Sequence, residues 1–352
     1  MCGGIGSRFW PYSRTDNPKQ FIDFLCTGRS LLQMSYDRVL SIVPRENVIV
    51  LTNGRYAERI REQLPELAPD QILLEPARRN TAPAIAWAAW HIAERDPEAS
   101  LMVAPSDHLI TRERQFEEAI LAGFDFVEHG DRLLTLGITP TRPETGYGYI
   151  QVGPAVEGDI HKVKTFTEKP NLELAETFVR TGEFFWNSGI FLWRASSIIE
   201  ALRRHAPDVS RVFESGEGSY GTPEAEAAFI EANFPSCMGI SIDYAVMERA
   251  DNVFVETVSF GWNDLGTWGS LYDISPKNRD GNVTQGCHVL AYNSRGNIFA
   301  VRDRERLIVT DSLHDYIIAD SGDVLLICPR AEEQRIRQMV NDAKAGFGDR
   351  YI

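Results

Sequence analysis

Apolar runs alternate with amphipathic stretches along the first two thirds of the chain. Asn47–Thr52 (NVIVLT) predicts a buried strand, and Gly54–Leu64 follows at helical spacing. Gln71–Leu74 reads as a second short strand, Asn80–Glu94 as an alanine-rich helix, and Ser100–Ala104 (SLMVA) as a third strand ending in Pro-Ser-Asp-His. Glu113–Glu128 is again helical and Arg132–Gly137 again a strand. Alternation at this period implies βαβ units and a parallel sheet.

The pattern changes after Pro140. Gly146–Val152 and His161–Glu168 read as paired strands, Leu172–Arg180 as a helix, and Phe184–Arg194 (FFWNSGIFLWR) as an apolar strand interrupted by Asn-Ser-Gly. Helices are expected at Ser196–His205, Pro223–Asn233 and Asp243–Ala250. From about Gly281 the chain breaks into short β segments, NSRGNIFAV, DRERLIVT, HDYIIA and DVLLICP, separated by Asn, Gly and Asp. That spacing predicts a small β-rich region of stacked turns, closed by a polar helix over Glu332–Ala345. Two domains are therefore expected, 1–275 and 276–352, with no low-complexity linker between them.

Composition narrows the function classes. The 352 residues carry 36 basic and 50 acidic side chains, a net charge of −14. A general binder of nucleic acid or anionic membrane would show the opposite sign. The longest apolar run, Pro83–Ala93, is too short to cross a bilayer. The five cysteines are scattered and never form CxxC, which fits a reducing, cytoplasmic setting rather than a disulfide or zinc framework.

The candidate chemistry begins at the first residues, Met1-Cys2-Gly3-Gly4-Ile5-Gly6-Ser7-Arg8. Glycines let backbone N–H groups approach a phosphate, and an arginine next to them supplies charge and forked donors. The stretch is neither a Walker A loop nor GxGxxG. Pro18-Lys19-Gln20 adds a lysine that could reach the same phosphates. A tight turn with a surface arginine and lysine would use the same residues.

GGIGSRFWPYSR followed by NPKQF resembles the signature of sugar-nucleotide pyrophosphorylases, in particular the mannose-1-phosphate guanylyltransferases. The resemblance continues in order through LLEPARRNTAPAIA (Leu73–Ala86), APSDHLI (Ala104–Ile110), GITPTRPETGYGYI (Gly137–Ile150), FTEKP (Phe166–Pro170), WNSGIFLW (Trp186–Trp193), SIDYAVME (Ser241–Glu248) and FGWNDLGTW (Phe260–Trp268). It implies a Rossmann-like α/β nucleotidyltransferase domain, with a mixed, mainly parallel sheet and a small β-rich C-terminal region after it, that transfers GMP from GTP to α-D-mannose 1-phosphate. Bifunctional relatives carry an isomerase domain beyond this region, which the chain is expected to lack.

The resemblance assigns roles that the residue types support. Arg8 and Lys19 would hold the leaving pyrophosphate and Lys169 the attacking phosphate. Gly3, Gly4, Gly6 and Ser7 would line the nucleotide phosphates, and Ser106 would also bind the nucleotide. Glu75, Asn80, Thr81, Ala82 and Pro83 would lie at the base, whose donor edge a carboxylate or carbonyl can accept; Asn80 also suits a helix N-cap. Whether Arg78 or Arg79 faces the ligand is open, because the family's usual single arginine is doubled here. Asp107, after a strand, and Asp264, in Trp-Asn-Asp-Leu-Gly-Thr-Trp, would hold Mg²⁺ as the cofactor, with phosphate oxygens completing the shell. A helix cap and a turn residue are the plainer readings of the two.

Gly148, Glu168 and Asn187 would meet the sugar. A surface Glu168–Lys169 ion pair, a backbone partner for Asn187 and a β-turn at Gly146–Tyr149 would explain the same residues. The partners implied are GTP and mannose 1-phosphate, with no nucleic acid, no membrane, and a homodimer left open. Two alternatives stand beside this reading: a sister pyrophosphorylase using another base or hexose, and an inactive regulatory homologue. A phosphate-cradling loop normally follows a strand, yet only two residues precede Gly3. The working protein is therefore expected to begin roughly ten residues earlier, one strand with its lead-in.

Overall fold

A computed structural model describes residues 1–4, 6–302 and 305–352. Ile5, in the glycine stretch, and Asp303 and Arg304, which open the expected DRERLIVT segment, lie outside the described residues. The chain forms two compact units. The first comprises Met1–Gly3, Arg38–Pro105 and Ile110–Trp262; the second comprises Gly4–Asp37, Ser106–Leu109 and Asn263–Ile352. Neither unit is continuous in sequence, whereas a single boundary near 275 was expected. The second unit's core explains why: Phe9, Trp10, Ile22, Phe24, Leu109 and Trp268 pack in one cluster with Ile298, Ile317, Leu326 and Ile336.

In the first unit, β1 (Val50–Asn53) pairs in parallel with β2 (Ile72–Glu75). Cys2 adds a parallel bridge to Thr52, and the Met1 amino group donates to the Ala104 carbonyl at 2.9 Å. A six-stranded sheet follows, built from β3 (Ser100–Val103), β4 (Leu133–Ile138), β5 (Gly148–Glu157), β6 (Ile160–Glu168), β7 (Phe184–Arg194) and β8 (Val253–Val258). Its order is β3-β7-β4-β8-β6-β5. Only β4 and β8 run parallel as neighbours; the other pairs are antiparallel. The α/β class holds, but the mainly parallel expectation gives way to a mixed sheet with antiparallel pairs in the majority. Hydrophobic period reveals a strand and says nothing of its direction. Here β7 returns between β3 and β4, and the β5–β6 hairpin adds three more antiparallel pairings: with itself, with β7 and with β8.

The helices of this unit are α1 (Ala57–Gln63), α2 (Thr81–Ala93), α3 (Glu113–Glu128), α4 (Leu172–Thr181), α5 (Ala195–His205), α6 (Pro207–Glu214) and α7 (Pro223–Asn233). The Pro207–Glu214 helix was not expected. The alanine-rich α2 is buried nearly all round, so it reads as apolar rather than amphipathic. Its Trp87 and His91, one turn apart, both bond Glu226 of α7, at 2.6 and 2.9 Å. Asp243–Met247 is a π-turn where an ordinary helix was expected.

The second unit carries the stacked turns. Strands β9 (Val283–Gln285), β11 (Ile298–Val301) and β13 (Tyr316–Asp320) form a parallel ladder, closed by antiparallel β14 (Leu325–Pro329). Between them β10 (His288–Tyr292) and β12 (Leu307–Asp311) pair in parallel. Buried Asn297 bonds Asn282 Oδ1 and the Leu313 carbonyl, linking one turn to the next. A short helix α8 (Trp268–Ile274) precedes the turns, and α9 (Ile336–Phe347) closes the chain. Among the described residues no helix is long and apolar enough to cross a membrane.

One core feature sets a pH dependence. Glu256 lies on β8, buried, with no hydrogen-bond partner for its Oε2 among the described residues. Burial, with Asp159 nearby, pushes its carboxyl up to about 8. In the unfolded chain that proton leaves near pH 4.3, roughly the ordinary glutamate value. Between those pH values the folded state holds a proton the unfolded state has lost, so stability falls as pH rises. Glu256→Gln should therefore stabilise the fold at pH 9, by on the order of 2 kcal/mol, and change little at pH 4. Denaturant melts at the two pH values check this; an equal effect at both would contradict it.

Candidate active site

The glycine stretch leads into a single 3-10 turn, Ser7–Phe9, with Gly6 in the left-handed region at φ 69°. Two constraints require glycine there. The backbone angle disfavours any side chain, and a Cβ would sit 2.6 Å from the Cβ of Lys19. Lys19 is itself buried, on a second short turn, Lys19–Phe21. The close approach of Gly6 thus fixes the stem of a lysine beside the loop.

The Lys19 ammonium is held from two sides. It pairs with Asp107 Oδ2 at 2.9 Å and donates to the Asp264 backbone carbonyl at 2.6 Å. Burial alone would raise the Asp107 carboxyl, but Lys19, with His108 beyond it, overcomes this and holds it below the usual range. His108 Nε2 lies 3.8 Å from Asp107 Oδ1. Asp264 Oδ1 accepts the Gly266 N–H at 3.0 Å, and a Cβ on Gly266 would meet the same carboxylate at 2.4 Å. One lysine therefore brings the two expected metal ligands to one place, although it reaches Asp264 through the main chain. Buried Ser106 precedes Asp107, and Arg8 is partly exposed on the glycine turn.

Mg²⁺ takes oxygen ligands, and the protein offers few of them here. Among the described residues no group of three or more His, Cys, Asp or Glu side chains could hold a metal. Two carboxylates, one neutralised by a lysine, fit an ion that takes most of its oxygens from phosphates and water. They do not fit a closed, all-protein site.

In the first unit a second cluster forms at the end of β6. Gly148 pairs in register with Glu168, and a Cβ there would lie 2.5 Å from Glu168 Oε2. The missing side chain leaves that carboxylate its room. Lys169, at φ 49°, holds Glu168 Oε1 with its ammonium and donates its backbone N–H to the Tyr147 carbonyl at 3.1 Å. Its side chain is 60% exposed while that of Glu168 is 8% exposed, so the lysine is the movable partner. The expected ion pair exists, and it leaves the lysine at the surface.

Asn187 lies in β7, which runs on as one strand through the Asn-Ser-Gly that was expected to interrupt it. Its Oδ1 accepts from Thr135 Oγ1 at 3.0 Å and from the Gly189 N–H at 3.2 Å. Its Nδ2 donates to Asp243 Oδ1 at 2.9 Å. The amide is thus satisfied within the protein, which leaves one Nδ2 hydrogen for anything further. Asp243 is the residue the sequence reading passed over, although it lies in the quoted block SIDYAVME. Burial, then the Glu168 charge, pushes its carboxyl up to about 6, against the opposing Asn187 bond and the Lys169 charge.

The third group surrounds the start of α2. Glu75 ends β2; burial pushes its carboxyl up to about 7 despite the Met1 amino group and Arg78. Gly3 lies alongside, with its Cβ position 3.8 Å from Glu75 Oε2. Asn80, at φ 67°, caps α2 by accepting the Thr81 N–H at 2.8 Å. Thr81 Oγ1 accepts the Ile242 N–H at 2.8 Å, the Ala82 N–H goes to the Ile240 carbonyl at 3.0 Å, and Pro83 is buried. Thr81, Ala82 and Pro83 thus serve chiefly to seat the helix, while Glu75 is buried beside it and Asn80 is exposed. Of the two arginines, Arg79 is tied to the Pro235 carbonyl and Arg78 bonds Tyr56 Oη at 3.1 Å.

The chain is similar in sequence and shape to known proteins. The nucleotidyl transferase family profile matches residues 1–281. The mannose-1-phosphate guanylyltransferase of Escherichia coli K12 is 38% identical over 98% of this chain and 73% of its own length. A xanthan biosynthesis protein, XanB, of Xanthomonas campestris is 37% identical over 98% of this chain and 72% of its own. The crystal structure titled mannose-1-phosphate geranyltransferase, from Thermus thermophilus, superposes with a TM-score of 0.88 at 31% identity, covering 98% of both chains. The profile match over most of its length and the relatives at this identity show that the chain belongs to the nucleotidyl transferase family, among the mannose-1-phosphate guanylyltransferases.

Proposed function

We propose that the chain transfers GMP from GTP to α-D-mannose 1-phosphate, releasing pyrophosphate and GDP-mannose. The observation that carries this reading is the Lys19 ammonium held between Asp107 and Asp264 beside the glycine turn. That grouping supports phosphoryl chemistry. A sugar-phosphate oxygen attacks the α-phosphorus in line, the α–β bridging bond breaks, and pyrophosphate leaves. Such a step calls for positioning and charge neutralisation more than for a covalent protein group.

In this reading Arg8 and Lys19 hold the leaving pyrophosphate, with Gly4, Gly6 and Ser7 offering backbone donors to the phosphates. Exposed Lys169 turns from Glu168 to the phosphate of mannose 1-phosphate, and Glu168 is then free to accept sugar hydroxyls. Asn187, oriented by Thr135 and Asp243, donates its remaining hydrogen. Glu75 accepts the donor edge of guanine when ionised. Asp107 and Asp264 would hold Mg²⁺, which when bound offsets charge on the phosphates.

The test is pyrophosphate release across pairs of nucleoside triphosphate and sugar 1-phosphate. Release should be fastest with GTP and mannose 1-phosphate. Activity confined to UTP or dTTP would replace the guanylyl assignment with a sister specificity.

A further inference from the structure

The closing helix of the chain has a polar residue that the reading above does not use. On α9, Ile336, Met339, Val340 and Ala343 recur at i, i+3, i+4 and i+7, and they pack into the cluster that contains Phe9 and Trp10. The tail beyond α9 is tied to the same turn, because Trp10 Nε1 donates to the Tyr351 carbonyl at 2.7 Å. Helix α9 is therefore seated against the Ser7–Phe9 turn. Arg8 neighbours Phe9, and Arg337 neighbours Ile336.

The other cations of this terminal segment are occupied. Arg330 bonds Asp315 at 2.6 Å, Arg335 pairs with Glu332 at 3.6 Å, and Lys344 pairs with Asp349 at 3.0 Å. Arg350 lies over the Tyr351 ring. Among the described residues, neither the Arg8 nor the Arg337 side chain has a hydrogen bond or an ion pair. The Arg8 charge, followed by partial burial, lowers the Arg337 guanidinium from its ordinary value, so the two cations feel each other. Arg337 also occupies the first turn of a helix, where a positive charge opposes the macrodipole. Two unpaired guanidinium groups on segments that pack against each other repel unless an anion joins them.

We infer that Arg337 is a second arginine of the pyrophosphate subsite, closing with Arg8 on the β- and γ-phosphates of the nucleoside triphosphate. The inference rests on the proposed role of Arg8 and extends it to a helix some 330 residues away in sequence. The closing helix thereby becomes part of substrate binding as well as of the fold.

The test runs the reaction in reverse, from GDP-mannose and pyrophosphate, with Arg337→Ala, Arg337→Lys and Arg8→Ala, each checked by thermal melting. Arg337→Ala should raise the KM for pyrophosphate at least about tenfold, the worth of one charge-assisted bond, and leave the KM for GDP-mannose within about twofold. Arg337→Lys, which keeps charge but loses the fork, should fall between. An unchanged pyrophosphate KM in folded Arg337→Ala, while Arg8→Ala is impaired, overturns this inference alone. If Arg8→Ala is also unimpaired, the reading of the glycine turn fails with it. A rise in the GDP-mannose KM with the pyrophosphate KM unchanged likewise overturns it.

Discussion

Lys19→Ala is expected to lose turnover by roughly 100- to 1000-fold, the usual consequence of removing one oriented donor to transition-state charge. Position is the reason. The ammonium is buried, fixed in its stem by Gly6, and already bonded to both segments that carry the expected metal ligands. With phosphate present it would meet charge without first paying for its own ordering. Removing it takes from Asp107 its ammonium partner, but that carboxylate is 27% exposed and can take up water. The melting temperature should therefore fall by only a few degrees, while turnover collapses. Steady-state rates on protein shown to be folded by circular dichroism check this. Turnover within about threefold of the unsubstituted chain, far short of the loss expected for such a donor, would mean that Lys19 only braces Asp107 and Asp264.

Exhaustive chelation is expected to stop turnover altogether, with Mg²⁺ restoring it. The nucleotide-free protein should melt at the same temperature with and without chelator. Both halves follow from the donor set. Two carboxylates alone bind a hard dication weakly, and phosphate oxygens must complete its shell. The Lys19 ammonium meanwhile holds the two segments together without metal. Asp107→Asn should shift the Mg²⁺ dependence to higher concentration, and Asp264→Asn should do the same. Full activity after chelation would remove the pair from the metal-binding role. A large fall in melting temperature on chelation would mark a structural ion instead.

Much of this arrangement was legible before any coordinates. The Glu113–Glu128 helix and the Phe184–Arg194 strand fall where the apolar period puts them, because each buries a full face. Asn80 was read as both base-binding and capping, and the cap is present. Strand direction was not legible, since antiparallel β7 and parallel β8 are both simply apolar in sequence. The discontinuous second unit was not legible either. No local pattern tells that Phe9, Trp268 and Ile336 share a core, since that depends on contacts between segments hundreds of residues apart.

The site residues divide in the same way. Lys19, Asp107 and Asp264 were named singly and found together. Asp243 was passed over because an aspartate opening a predicted helix looks like a cap; its bond to Asn187, 56 residues away, is a fact of tertiary structure. Arg337 looked like one more charge on a polar helix. Only the packing of that helix on the Ser7–Phe9 turn distinguishes it from Arg335 two residues earlier.

The most direct measurement follows phosphorus. The chain, with Mg²⁺, GDP-mannose and pyrophosphate, is observed by ³¹P NMR. The account predicts GTP and mannose 1-phosphate appearing in equal amounts, at a rate lost in Lys19→Ala. Breakdown of GDP-mannose to GDP and free mannose, or no change in folded protein, would contradict it.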